Sequence, residues 1–119
     1  MLCQEGAPRD AYKTTVSQIA SLLVAGKYDE LATLTHSVRL NAKDIATAVA
    51  DYGRTLIAIP DEGFETIDIV EIANASPPRW SIALPLWTQE EGRSDLTLEM
   101  TVIERDNRYC VELDDLHVL

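Results

Sequence analysis

Between Pro60 and Gly63 the hydrophobic period of this chain changes from about 3.6 residues to about 2. A helix repeats on the first period and a half-buried strand on the second, so one change of period divides the chain into a helical half and a sheet half. Before the break, Tyr12, Val16, Ile19, Ala20 and Leu23 form one apolar helical stripe, with Asp10 as its expected N-cap and Gly26 as its left-handed stop. Asp29 opens a second, short helix that turns Leu31 and Leu34 inward and fades near His36. Asn41 and Asp44 have capping-pair spacing for a third helix, whose inner face carries Ile45, Val49, Tyr52 and Leu56 and which Gly53 ends or bends.

After the Pro60–Gly63 turn cluster, four strands are expected, over residues 66–73, 79–88, 95–104 and 108–113. The third alternates most cleanly, with Leu96, Leu98, Met100 and Val102 on one face and Thr97, Glu99 and Thr101 on the other. Asp106-Asn107 suits a two-residue hairpin turn, because both residues tolerate positive φ. That turn sets Val102 against Val111 and Met100 against Leu113, and carried further it sets Glu99 against Asp114. The alternation slips after Leu113, and a bulge near Asp114-Asp115 would return Leu116 and Val118 to the core face. Pro85 cannot donate to a ladder and marks an edge or a bulge; with a bulge Trp80 and Trp87 share the core face, and without one they point apart. The expectation is a single α+β domain over 1–119: three N-terminal helices packed on one face of a four-stranded antiparallel meander, with residues 1–9 a flexible N-terminal tail.

Charge follows the same division. Residues 1–60 carry six acids and six bases, whereas residues 61–119 carry fourteen acids against four arginines and no lysine, which accounts for the whole net charge of −10. This balance disfavours nucleic acid and anionic membrane surfaces, which need a basic patch, and favours a basic protein partner. No run reaches the length of a membrane span, and Met1–Asp10 has neither the basic nor the apolar region of a signal peptide, so the expected location is cytoplasmic. Cys3 and Cys110 have no metal-ligand spacing, no glycine-rich phosphate loop or nucleophile elbow occurs, and no cofactor or metal is expected.

Several groups could carry chemistry. Asp114-Asp115-Leu116-His117 combines carboxylates with an imidazole, but adjacent strand residues diverge, so a convergent site needs the bulge; an ordinary surface is expected. His36 suits a helix C-terminus. The loop from Glu90 to Asp95 reads as a turn satisfied within itself, with Arg93 offsetting its neighbours, and Asp61-Glu62 reads as another acidic turn. If a pocket lies between helices and sheet, its lining candidates are Tyr52, Trp80, Trp87 and Met100. The partner-surface candidates are Glu90, Glu91, Glu99, Glu112, Asp114 and Asp115, with Glu99, Glu112, Thr97 and Thr101 on a wet outer sheet face.

The run Leu22 to Ala32, LLVAGKYDELA, resembles the helix–Gly–helix opening of the cone-shaped α+β superfamily typified by nuclear transport factor 2 and the SnoaL-like proteins. That resemblance implies a pocketed cone, shallow here because His36–Leu40 is too short for the superfamily's extra strand pair, and none of its catalytic sets maps onto this chain. The stretch Trp87 to Glu99, with the ending Asp114 to Leu119, is similar to a small bacterial domain family of unknown function, which implies no activity. The functional expectation is a non-enzymatic acidic interaction protein of immunity or regulatory type. The alternatives are a small-molecule binder or enzyme using the helix–sheet pocket, and a homodimer formed through the sheet.

Overall fold

The computed structural model describes residues 2–5, 8–35, 39–65 and 67–119, with side chains from residue 13 onward. The elements are β1 (Leu2–Glu5), α1 (Pro8–Val24), α2 (Tyr28–Leu34), α3 (Ala42–Tyr52), β2 (Leu56–Ile57), α4 (Asp61–Glu65), β3 (Asp68–Glu71), β4 (Arg79–Thr88), β5 (Gly92–Arg105) and β6 (Arg108–Val118). The expected α+β meander is present as β3–β4–β5–β6, all antiparallel, with helices over one face. The sheet order is β1-β6-β5-β4-β2, and β3 takes a second stretch of the same β4 edge that β2 occupies.

The helix signals act as their chemistry requires. At the end of α1, Gly26 adopts φ +72°, Lys27 N–H donates to the Leu22 carbonyl at 2.9 Å and Gly26 N–H to that of Leu23 at 3.1 Å, a Schellman closure. Asn41 and Asp44 form a full capping box on α3: the Asn41 side chain accepts from Asp44 N–H at 2.8 Å, and the Asp44 carboxylate from Asn41 N–H at 3.4 Å. Gly53 ends α3 in the left-handed region. Val16, Ile19, Leu23, Leu31 and Ile45 close the helical side of the core over Ile82, Leu84, Leu86, Leu98, Met100, Val102, Val111 and Leu113 from the sheet.

Expectations about the chain ends and helices need correction. The tail expected over residues 1–9 contains β1, which pairs with β6, and α1 starts at Pro8, ahead of Asp10, because proline's fixed φ suits a first helical position. Leu34, at the C-terminal end of α2, is exposed, whereas Leu31 one turn before it is buried. The Pro60–Gly63 turn continues into α4, whose Gly63 lies against Trp87; a Cβ there would stand 2.7 Å from Trp87 Nε1 and 2.6 Å from Ile59 Cγ2. His36 lies outside the described residues.

The register follows the hairpin turn. Asp106 and Asn107 have φ of 50° and 63°, Val102 pairs with Val111, and Met100 with Leu113. Beyond Met100 the ladder shifts, as the apolar pattern of β6 demands: Glu99 pairs with Asp115, and Asp114 is the extra residue of a bulge. The expected pairing of Glu99 with Asp114 is therefore off by one. A second shift lies between Pro85 and Trp87, where β5 takes four steps against two in β4. The irregularity falls on β5, so alternation along β4 is unbroken and Trp87 points away from the helices, opposite to Trp80. The buried Ser94 hydroxyl closes this gap by donating to the Leu86 carbonyl at 2.7 Å.

Candidate functional site

The outer sheet face follows from the register. One row across it contains Asp68, Ala83, Glu99 and Asp115, and the adjacent row Val70, Ser81, Thr101 and Glu112. Acidic residues thus cross the middle of the face, while Arg79, Arg93, Arg105 and Arg108 occupy rows nearer its ends. Thr97, expected to be wet, is buried.

The sheet ends at β3, and among the described residues no strand pairs with its far edge. Every residue of β3 is exposed: Ile69 at 39% and Val70 at 61%, with Ile72 just beyond the strand at 41%. Ile72 N–H donates to the Arg79 carbonyl at 2.9 Å, so by antiparallel alternation the amides of Val70 and Asp68 also face β4. Those of Ile69 and Glu71 face the open edge. An open edge with exposed β-branched residues is a template for another strand.

The bulges bring other groups together. Thr101 Oγ1 donates to Asp114 Oδ2 at 2.6 Å, and Arg39 Nη1 reaches Asp114 Oδ1 at 3.1 Å, tying the segment before α3 to the bulge. Glu99 Oε1 lies 3.3 Å from His117 Nε2, and Asp115 Oδ2 lies 4.0 Å from it. The spacing of Asp115 and His117, two residues apart on one strand face, is the sequence signal for this cluster; the bulge supplies Glu99.

The acidic loop after β4 ties sheet to helix. Glu90 accepts from Thr55 N–H at 2.9 Å and from its hydroxyl at 3.0 Å; the backbone N–H, ahead of the hydroxyl, holds the Glu90 carboxyl below its ordinary range. Glu91 accepts from the Tyr52 hydroxyl at 2.7 Å and from Thr88 at 3.2 Å, and the bond to Glu91, more than burial, pushes the Tyr52 phenol up. The loop is satisfied through Tyr52, Thr55 and Thr88 rather than by Arg93 alone.

The four pocket candidates do not converge. Met100 is wholly buried in the core, Trp80 sets its ring edge-on to Tyr109 at 5.8 Å, and Trp87 stands on the opposite face against Gly63 and Gly92. Tyr52 lines a groove of about 720 Å³ between α3 and the C-terminal half of β6, with Arg39, Lys43, Asp51, Asp115 and His117. Of the partner-surface candidates, Glu90, Glu91 and Asp114 are engaged within the fold, while Glu99, Glu112 and Asp115 remain on the outer face.

Cys110 is buried and disulfide-bonded, and its partner in the β1–β6 register is Cys3. No described helix is long and apolar enough to cross a membrane. No curated protein and no solved structure matches the chain. The model of a family described as a domain of unknown function (DUF7668) matches residues 20–119. That match takes in every element from the end of α1 to β6, and the chain belongs to this family.

Proposed function

We propose that this domain is a non-enzymatic interaction module that binds an extended, basic segment of a partner protein along the β3 edge. The observation that carries this reading is the open edge itself, where Ile69 and Val70 are exposed between the acids Asp68 and Glu71, with Ile72 exposed just beyond them. An added strand satisfies the outward amides of Ile69 and Glu71, its apolar residues cover the exposed β-branched side chains, and its basic residues meet the acids. The acidic row from Asp68 to Asp115 extends the same field across the sheet.

A homodimer through this edge fits less well. Two-fold antiparallel pairing centred on Val70 sets Asp68 opposite Ile72 and Ile69 opposite Glu71 of the second copy, so the acids of both edges come together and none meets a base. The groove beside α3 supports a second reading, a binder of a small polar ligand, because it lies in the size range of ligand sites and carries charges of both signs. As for location, the disulfide at Cys110 suits an oxidising compartment better than the cytoplasm.

A photo-crosslinking residue placed at Val70 tests the interaction reading, with Ala50 on the exposed side of α3 as the comparison site. The reading predicts a salt-sensitive adduct with a basic protein from position 70 and none from position 50. Equal adducts from both positions, or an acidic partner, would contradict it.

A further inference from the structure

We infer that Glu99, Asp115 and His117 form a binding site for one divalent transition-metal ion of the zinc class, on the outer face of the sheet. One imidazole and two carboxylates converge there, and their donor atoms all lie within 4.8 Å of one another. This is a mixed nitrogen–oxygen set, which suits zinc and its neighbours better than calcium or magnesium.

The spacing is close to what an ion needs. Ligand atoms on a tetrahedral zinc ion stand about 3.3 Å apart, from metal–ligand distances of about 2.0–2.1 Å. Glu99 Oε1 and His117 Nε2 are already 3.3 Å apart, and Asp115 Oδ2 lies 4.0 Å from the same nitrogen. Asp115 Oδ2 stands about 0.7 Å beyond that spacing from the imidazole, and no pair in the set exceeds it by more than about 1.5 Å.

Two further observations single out this cluster. His117 Nε2 is buried and makes no well-aligned hydrogen bond, despite the two carboxylates near it. Asp115 is held in place: its Oδ1 accepts from Leu116 N–H at 2.9 Å, which leaves Oδ2 toward the imidazole. Such orientation by a neighbouring donor is what a metal ligand requires. The bulge at Asp114 also sets Glu99 directly opposite Asp115, an arrangement that repels unless a cation lies between them. Three protein ligands leave a coordination position open to water or to a donor group from a partner.

Isothermal titration of the full chain with zinc chloride, after chelator treatment, tests the site. The expected result is one zinc ion per chain, with affinity falling at least tenfold in both Glu99→Gln and His117→Asn and unchanged in Glu71→Gln. Circular dichroism and the unfolding midpoint confirm that each variant is folded; Glu99→Gln preserves side-chain shape and keeps the test available if the histidine variant does not fold. No binding at millimolar zinc, or binding that survives both substitutions, would overturn the proposal.

Discussion

Thr101 donates its hydroxyl to Asp114 at 2.6 Å, and this bond pins the extra residue of the β6 bulge to the neighbouring strand. Asp114 is largely buried, whereas its other partner, Arg39, is two-thirds exposed. Removing the carboxylate leaves the Thr101 hydroxyl unpaired and loosens the bulge that sets the rest of the β6 register. Asp114→Ala should lower stability by about 1–3 kcal/mol in denaturant unfolding, and Arg39→Ala by under about 1 kcal/mol. Equal costs for the two would contradict the order.

Gly63 of α4 lies against the Trp87 indole and Ile59. A methyl group there meets Trp87 at 2.7 Å and Ile59 at 2.6 Å, so Gly63→Ala should destabilise by about 1–3 kcal/mol. In a Trp80→Phe background the remaining indole fluorescence should also shift to the red, as Trp87 loses its cover. An unchanged melting temperature and emission would show that α4 does not seat on Trp87.

The loop from Thr88 to Glu91 gives stability a pH dependence with two signs. The folded carboxyl of Glu90 is depressed, so its contribution is present above the ordinary carboxylate range and is lost as pH falls through the folded value. The folded phenol of Tyr52 is raised, so its contribution is present below the ordinary tyrosine range near pH 10 and is lost as pH rises through the folded value. Thr55→Val, which removes the hydroxyl but keeps the backbone donor, should weaken the acid-side dependence only partly. Tyr52→Phe should flatten the alkaline side, as read from unfolding midpoints across pH.

The parts of this fold that rest on local chemistry were legible in the sequence. The capping box of Asn41 and Asp44, the Gly26 stop, the Asp106-Asn107 turn and the pairing of Met100 with Leu113 each depend on residues close in sequence or on strict alternation. The parts that depend on distant partners were not. Leu2–Glu5 forms a strand because β6 offers it an edge, and nothing within those four residues distinguishes them from a tail. Pro85 signals an irregularity, but which strand bulges is decided by Ser94 across the ladder, and that choice turns Trp87 away from the core. The candidate sites divide the same way. The acids of the β4–β5 loop are visible as a charged run, but their partners Tyr52 and Thr55 come from more than thirty residues away. The open edge of β3 is legible only once the strand order is known.

Hydrogen exchange resolved residue by residue tests most directly whether β3 recruits a partner by adding a strand, as proposed. In the free protein the amides of Ile69 and Glu71, which face the open edge, should exchange faster than that of Val70, which faces β4. With the partner captured at position 70 bound in low salt, the amides of Ile69 and Glu71 should slow at least tenfold. A bound partner that leaves both amides exchanging at their free rate would contradict the account.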